Sequence, residues 1–189
     1  NMYCISLKTS HPIADVRLKA ALNRWLPLSI AVLDCEEADI DFHARYSCTS
    51  KEYIYKIWNT EVRNPFLDGY ALHYRYKLDE DMLNSAAQAY VGTHDFTSFC
   101  TIDSREKGDM TRTVKAFSVT REGNLVTMKV EADGFLYNMV RIMVGTLLRI
   151  QQGKIPVDGI AGIIEKKDRK FAGPTAQPCG LYLNRVNYD

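Results

Sequence analysis

Apolar and polar positions in the first forty residues predict a strand, a helix and a second strand. Tyr3, Ile5 and Leu7 fall on one face of an extended segment, which is the period of a half-buried strand. A helix follows the capping Ser10, and the apolar run at 29–39 predicts the second strand. A lone strand–helix–strand cannot bury its own apolar face. We therefore expect this unit to pack against the rest of the chain or against a part of its domain outside these residues.

The rest of the chain mixes strands with helices. A Glu-Gly-Asn turn at 122–124 is typical of a β-hairpin, and acidic residues open a helix that stops at Gly92. We expect "THDFTSFC" (residues 93–100) to be a loop, followed by a charged insertion at 103–109. The predicted strands cover residues 41–59, 71–76, 111–122, 124–132 and 181–188, and the predicted helices cover residues 79–92, 135–150 and 157–167.

This order of elements predicts an α+β fold with a largely antiparallel sheet flanked by helices. A chain of 189 residues has room for one large domain, or for one domain and part of another. We assign residues 1–40 to one domain and residues 41–189 to a second.

Composition is that of an ordinary globular protein, with 46% hydrophobic and 25% charged residues. The formal net charge of +1 says little by itself, but acids cluster at 36–41 and cations at 166–170. A near-neutral protein still binds nucleic acid when its cations line one groove. The composition is therefore compatible with a nucleic-acid partner.

The five cysteines are odd in number, widely spaced and free of any Cys-x-x-Cys pair. This pattern argues against a disulfide framework and a zinc site, and it predicts a reducing, cytoplasmic location. The four histidines lack metal-ligand spacing, and neither a Walker loop nor a dinucleotide fingerprint occurs, so we expect no metal and no cofactor. The most apolar stretch, residues 135–150, contains Asn138, Arg141 and Arg149 and is too short to span a bilayer.

Arg141 lies in "FLYNMVRIMVGTLL", a predicted helix that is apolar almost all round, so we expect its guanidinium to be buried. The neighbours three and four positions away are Tyr137, Asn138, Val144 and Gly145, and none of them is a carboxylate. A buried cation without a partner costs on the order of several kcal/mol. We therefore expect an anionic partner from elsewhere, unless the side chain reaches solvent or pairs with a structural acid.

The segment "DFHARYSCTSKEYIYKIWN" (residues 41–59) mixes aromatic rings with cations. Alternation along a strand puts Tyr53 and Tyr55 on one face and Lys56 on the other. Rings beside cations such as Arg45 suit stacking on a base with contacts to phosphates. The same pattern also occurs in strands whose tyrosines are core and whose cations are solvated, so the segment alone leaves both interpretations open.

His94 and Asp95 form an adjacent pair with Thr97 and Ser98 nearby. A hydrolase of the Ser-His-Asp type places its nucleophile in a Gly-x-Ser-x-Gly elbow in one large class, and no such elbow is present. Neighbouring polar residues on a loop more often brace a turn. We favour this structural role and keep a hydrolase as an alternative.

Five segments stand in the order and approximate spacing of the TruA-type tRNA pseudouridine synthases, which this sequence resembles over essentially its whole length. The segments are "DFHARYSCTSKEYIY", "GTHDFTSFC", "TRTV", "GFLYNMVRIMVGTLL" and "GLYLNRVNY". Residues 1–40 resemble the second half of that family's N-terminal RNA-binding domain, and residues 41–189 resemble its catalytic domain. The resemblance implies the pseudouridine synthase fold.

The resemblance also implies an enzyme that isomerises uridine to pseudouridine in the tRNA anticodon stem-loop, at positions 38 to 40, without cofactor or metal. It implies a homodimer with a positively charged cleft on each side. In the family, a catalytic aspartate attacks the flipped nucleotide, the glycosidic bond breaks, and the uracil rotates and rejoins through carbon. Because extruding a base costs on the order of a few kcal/mol, aromatic and cationic contacts that hold it make physical sense.

The resemblance implies roles for individual residues of this chain, wherever they match a family motif. Tyr53 matches the family's active-site tyrosine, which stacks on the target base and aids proton transfer. Arg141 matches the basic residue that pairs with the catalytic aspartate, and Leu181 in "GLYL" matches an apolar residue that packs against the base. His43 and Arg45 match the "FHAR" segment, where we expect Arg45 to contact the RNA backbone.

One family motif is missing. The catalytic aspartate of the family lies in a Gly-Arg-Thr-Asp loop, which occurs nowhere in the 189 residues. In the family that loop ends just before the strand that "NMYCISLKT" resembles. We therefore expect an N-terminally truncated chain that lacks the nucleophile and is inactive by itself. The competing interpretation is a non-catalytic RNA-binding module that uses the same cleft.

Overall fold

The computed structural model describes residues 3–101 and 108–188 of the chain. These residues form two compact units. The smaller unit is Cys4–Ser47, and the larger unit is Cys48–Asp189 together with Asn1–Tyr3. Along the chain, the boundary between the units falls between residues 47 and 48. The assignment of residues 1–40 and 41–189 to two domains stays a prediction. The charged insertion predicted at 103–109 lies largely outside the described residues.

The smaller unit contains one of the predicted elements, helix α1 (Asp15–Trp25). The strands predicted around Tyr3–Leu7 and at 29–39 are wrong, because residues 3–14 and 26–47 hold no strand. A strand needs a neighbouring strand to pair with. Here the side chain of Asn23 binds the backbone of Val32 instead: its amide group donates to the Val32 carbonyl at 2.9 Å, and its oxygen accepts the Val32 N–H at 2.8 Å. The apolar alternation is real, but it has no strand partner within the described part of this unit.

The apolar side chains of the smaller unit are consequently exposed. Trp25 is 86% exposed and Ile5 is 76% exposed. No residue of α1 is buried. The predicted cap Ser10 does not cap this helix either, since its hydroxyl lies 3.1 Å from the His11 Nδ1 and the helix begins at Asp15.

The larger unit is built on a six-stranded sheet in the part of the chain that the structure describes. The strands are β1 (Cys48–Trp58), β2 (Leu72–His73), β3 (Gly92–Asp95), β4 (Thr111–Glu122), β5 (Leu125–Ala132) and β6 (Leu181–Tyr188). Their order is β2-β1-β5-β4-β3, and β6 pairs with the first part of β1. Every pairing is antiparallel except the short β1–β2 contact, which confirms the predicted largely antiparallel sheet.

Strand β1 begins at Cys48, later than the predicted residue 41. Residues 40, 41 and 44–46 are turns, so "DFHAR" is not part of the strand. Along the strand, Tyr55 and Ile57 are fully buried, and Lys56 between them points away from the core. The predicted alternation of faces is therefore confirmed.

The helices that flank the sheet lie close to their predicted places. They are α2 (Glu80–Ala87), α3 (Met139–Gln151) and α4 (Gly159–Lys166). Helix α2 starts at a cap in which the Asp79 carboxylate accepts the Met82 N–H at 2.9 Å. The predicted helix to Gly92 ends earlier, because residues 88–90 tighten into a 3₁₀ turn.

The segment 93–100 was predicted to be a loop and contains part of a strand. Residues 92–95 form β3 on the edge of β4, and residues 97–99 form a 3₁₀ turn. Only four residues are extended, and most of them are polar, so hydrophobic periodicity carries no signal here. Pairing with β4 decides the conformation.

One apolar cluster joins the core face of the sheet to the three helices. Met128 and Val130 of β5 supply the sheet side, while Ile142 and Leu147 of α3 supply the helix side, and all four are at most 1% exposed. Helix α3 therefore packs with nearly its whole circumference buried, as its apolar sequence predicts. No helix in residues 3–101 and 108–188 is long and apolar enough to cross a bilayer.

Candidate active site

Two tyrosines stand on the core face of β1, and their hydroxyl groups differ. Tyr55 is fully buried and donates its hydroxyl to the Gln177 carbonyl at 2.6 Å. Tyr53 is half-buried, and within the described residues no hydrogen bond holds its hydroxyl group. The Tyr55 hydroxyl is thus used by the fold, whereas the Tyr53 hydroxyl is available to a ligand.

The ring of Tyr53 is held at its edge. Its centroid lies 5.1 Å from that of Phe135, with an interplanar angle of 85°, a favourable edge-to-face arrangement. On the two sides of β1, its cross-strand partners are Val130 and Leu183. Burial raises the pKa of the Tyr53 hydroxyl, so the group is protonated at neutral pH and enters any reaction as a hydrogen-bond or proton donor.

Arg141 stands in the first turn of α3 and is half-buried. Its Nε donates to the Ala176 carbonyl at 2.7 Å, and its NH1 nitrogen donates to Asn138 Oδ1 at 2.9 Å. Both acceptors are neutral, and in the described residues no carboxylate forms an ion pair with it. The fold thus fixes the guanidinium without neutralising it. The anionic partner expected from the sequence stays a prediction.

The charge of the Arg141 guanidinium acts on Tyr55 of β1. Burial is the largest influence on the pKa of Tyr55 and raises it, and the Arg141 charge opposes that rise. Ala176 and Gln177 are consecutive, and their carbonyls accept the Arg141 and Tyr55 hydrogen bonds respectively. One short loop therefore ties the strand and the helix of the site together.

Asn138 is a site residue that the sequence reasoning missed as such. It precedes α3 in the left-handed conformation, with φ of 62°, which few non-glycine residues adopt and Asn tolerates best. Its side chain bridges two segments, because Nδ2 donates to Thr101 Oγ1 at 3.2 Å while Oδ1 accepts from Arg141. The available signal was its position three residues before Arg141.

The loop at 172–177 sits directly on the α3 backbone. A Cβ placed on Gly145 would lie 1.7 Å from the Pro174 carbonyl oxygen, so only glycine fits there. The Gly173 N–H donates to Thr146 Oγ1 at 2.9 Å, and the Ala176 N–H donates to the Arg141 carbonyl at 3.0 Å. These contacts hold the two carbonyls that orient Arg141 and Tyr55.

Leu181 opens β6 and lies opposite Tyr55 in the β1–β6 register. It is half-buried and packs against the core cluster. Because directly opposed residues of an antiparallel pair share a face, Leu181 stands on the same face as Tyr53 and Tyr55. The structure thus brings Tyr53, Arg141 and Leu181 into one region of the larger unit.

His43 and Arg45 belong to the smaller unit and lie in a turn. The Arg45 N–H donates to His43 Nδ1 at 3.1 Å, and the Arg45 guanidinium lies 5.6 Å from the centre of the Tyr46 ring. Their compact unit is therefore a different one from that of Tyr53. The sequence had put all three on one strand.

The pair His94–Asp95 braces the fold locally. The ring of His94 contacts the Val91 carbonyl at 3.1 Å. Asp95 accepts the Thr97 hydroxyl at 2.6 Å and the Thr97 N–H at 3.0 Å, and it pairs with Lys167 at 2.9 Å. The hydrogen bond from the Thr97 hydroxyl, together with Lys167, lowers the pKa of the Asp95 carboxyl. These contacts support the structural interpretation over the hydrolase.

Comparison with known proteins covers both units. A sequence profile of the family described as tRNA pseudouridine synthase matches residues 86–189. The chain is 46% identical over 171 residues to the protein named tRNA pseudouridine synthase A of Geobacillus sp. (strain WCH70), a match that covers 90% of this chain and 68% of that protein. Proteins of the same name in Acetivibrio thermocellus and Bacillus pumilus are 43% and 45% identical, over 95% and 98% of this chain and 73% and 74% of their own lengths.

Proposed function

Because this chain belongs to the tRNA pseudouridine synthase family, we propose that it provides the substrate-binding and auxiliary catalytic groups for converting uridine to pseudouridine in the anticodon stem-loop of tRNA, at positions 38 to 40. The single observation that carries this proposal is that, among the described residues, no group accepts from the Tyr53 hydroxyl, and the Arg141 guanidinium is held by neutral oxygens without an ion pair. The Tyr53 hydroxyl is therefore available to the substrate, and the Arg141 charge is available to a carboxylate.

The reaction is an isomerisation, so its atoms balance without a cofactor. The N1–C1′ bond of uridine breaks and a C5–C1′ bond forms, while C5 loses a proton and N1 gains one. In our proposal an aspartate carboxylate forms the transient covalent bond, and Arg141 pairs with that carboxylate and orients it. Tyr53 stacks on the extruded base and donates a hydrogen bond or proton, and Leu181 packs against the base.

His43 and Arg45 are proposed to contact the RNA on the side of the phosphates. A guanidinium is well suited to a phosphate because it donates hydrogen bonds in a fixed fork. Neutralising Arg45 should therefore weaken tRNA binding without changing turnover of bound tRNA.

We propose further that the 189 residues alone do not catalyse the reaction, because they contain no Gly-Arg-Thr-Asp motif. The test is tritium release from tRNA labelled at uridine C5. It uses this chain and a fusion protein, in which the chain is joined to the part of the Geobacillus relative that lies outside the aligned region. We expect release from the fusion protein and none from the chain alone.

The fusion protein also separates the two competing functions. A fusion protein that is folded and binds tRNA, yet releases no tritium while the intact Geobacillus relative does, would contradict the synthase and favour a non-catalytic RNA-binding module. The family resemblance also supports a homodimer as the active form. Sedimentation equilibrium of the fusion protein tests that part separately.

A further inference from the structure

Two adjoining cavities of about 410 Å³ and 390 Å³ lie on the larger unit beside β2. Leu72 and Gln177 line both cavities, which therefore adjoin, and we name the two cavities together the β2 groove. The carbonyl of Gln177 is the acceptor of the Tyr55 hydroxyl in the candidate active site. The groove therefore starts at the loop that also holds Arg141.

One stripe of α3 leads from the active site into the groove. Gly145 and Arg149 line the groove and follow Arg141 at steps of four, which places them on one helix face, and Gln152, the C-cap of α3, lines the groove beyond them. The loop crosses this stripe where the Pro174 carbonyl meets Gly145. Arg141 stands before the crossing and Arg149 after it, so the two cations flank the same loop.

The charge of the groove is positive. Arg63, Arg149 and Lys154 line it, and Asp68 is the acid among its described lining residues. None of the three cations pairs with a carboxylate in residues 3–101 and 108–188; Arg149 donates only to the neutral amide of Gln152, at 3.2 Å. A ligand with several negative charges would complement this surface.

The groove also carries aromatic surface. Trp58 and His73 line it and are paired in the β1–β2 register. Trp58 is half-buried, so its ring is positioned by the sheet while part of it remains open to solvent. A cationic groove with rings along it is the general arrangement that binds single-stranded nucleic acid, since phosphates meet the cations and bases stack on the rings.

We propose that the β2 groove holds the unpaired nucleotides next to the target uridine, with Trp58 stacked on a base and the three cations against phosphates. This proposal rests on the proposed function, because that function supplies the RNA. Each cavity lies within the volume range of small-ligand sites, about 300–1,000 Å³. A second copy of this chain fits less well, because a two-fold interface would place this positive surface against the same positive surface of the other protomer.

The first arm of the test measures binding of an anticodon stem-loop RNA to the 189-residue chain at several salt concentrations. The variant combines Arg63→Gln, Arg149→Gln and Lys154→Gln. Each lost phosphate contact on a single strand lowers the slope of log affinity against log salt by about 0.7, so we expect a decrease of about 2 and at least roughly tenfold weaker binding. The matched control is Lys115→Gln, which removes one exposed cation on β4 and should change affinity and slope little.

The second arm addresses stacking. Trp58→Leu keeps an apolar side chain on β1 but removes the ring, and we expect about tenfold weaker binding. Photo-crosslinking from 4-thiouridine placed beside the target uridine should label peptides that contain residues 58–73. Circular dichroism melting of each variant establishes that it is folded, and if Trp58→Leu unfolds, Trp58→Phe and the crosslink map decide instead.

The outcomes separate this proposal from the function on which it rests. Unchanged affinity and slope in folded variants, with crosslinks outside the groove, would overturn the groove while leaving the synthase in place. Wild-type chain that does not bind the RNA at all would overturn both. Variants that alter the mass of the free protein in light scattering, but not its RNA affinity, would assign the groove to a second copy and overturn our proposal.

Discussion

Tyr53 and Tyr55 lie two residues apart on the same face of β1, and what distinguishes them is the partner of each hydroxyl. Tyr55 donates to a loop carbonyl, while no group in the described residues accepts from Tyr53. Arg141 shows the same logic for a cation, because neutral oxygens fix its position and leave its charge to a ligand. At the scale of single residues, we assign the proposed roles to groups whose hydrogen bond or charge the fold leaves available.

We expect Tyr53→Phe in the fusion protein to reduce turnover by roughly 100-fold or more, because proton transfer by a positioned side chain contributes about 10²–10⁴-fold. The affinity for tRNA should change little, since the ring remains to stack on the base. Single-turnover tritium release and filter binding measure the two quantities. Tyr182→Phe is the control: its hydroxyl donates to the Tyr70 carbonyl, and its turnover should equal that of the parent. Unchanged turnover in Tyr53→Phe would remove the role assigned to this residue.

Substitutions of Asn138 separate its side-chain bridge from its backbone conformation. Asn138→Gly and Asn138→Ala both remove the hydrogen bonds to Arg141 and Thr101, so we expect turnover of the fusion protein to fall by a similar factor in both. Alanine is strained at a φ of 62° and glycine is not, so Asn138→Ala should lower the free energy of unfolding by about 1–2 kcal/mol more. Urea titrations measure that difference. Full turnover in Asn138→Gly would show that the bridge does not hold Arg141.

At the scale of elements, the site depends on how the 172–177 loop docks on α3. The loop supplies the acceptors for Arg141 and Tyr55, and it approaches the helix backbone so closely that a side chain at Gly145 has no room. The contacts of Gly173 with Thr146 close the other end of the loop. The position of the Arg141 guanidinium is therefore a property of one loop–helix contact.

Gly145→Ala should force the loop away from α3, because the new Cβ would lie 1.7 Å from the Pro174 oxygen. Overpacking of this kind lowers the free energy of unfolding by about 1–3 kcal/mol. The control is Gly162→Ala in α4, where a Cβ meets nothing within 4 Å and helix propensity predicts a gain of about 0.5–1 kcal/mol. Opposite signs in chemical denaturation are expected, and a stabilised Gly145→Ala would contradict the docking.

Asp95 links β3 to the end of α4 through Lys167, and this link should depend on pH. The folded pKa of Asp95 is depressed, so its contribution to stability is present above the unfolded value of about 3.9 and is lost as pH falls through the folded value. The difference in unfolding free energy between wild type and Asp95→Asn should therefore be constant near neutral pH and shrink below about pH 4. Urea titrations across pH test this.

Elements with strong local signals were predictable, and elements that depend on partners were not. The Glu-Gly-Asn turn and its flanking alternation predicted the β4–β5 hairpin, which the structure confirms with Gly123 at a φ of 56°. Strand β3 was missed because four residues on a sheet edge are held by β4 and not by their own pattern. The strands predicted around Tyr3–Leu7 and at 29–39 failed for the converse reason: the pattern was present and the pairing was not.

At the scale of the whole molecule, the chain consists of a well-packed larger unit and a smaller unit whose apolar side chains are largely exposed. The larger unit holds Tyr53, Arg141, Leu181 and the β2 groove, and the smaller unit holds His43 and Arg45. The residues proposed to contact the target base thus belong to the larger unit, and those proposed to contact the RNA backbone belong to the smaller unit.

The amino-acid sequence is sufficient to identify the family, the α+β class with its antiparallel sheet, the buried face of β1 and the apolar helix that carries Arg141. These follow from periodicity and motif order, which are local and survive without coordinates. The three-dimensional fold is needed to show that no group among the described residues accepts from the Tyr53 hydroxyl, that neutral carbonyl and amide oxygens hold Arg141, and that Asn138 and the 172–177 loop position it. Hydrogen bonds between residues distant in sequence make those choices, and no local pattern records them.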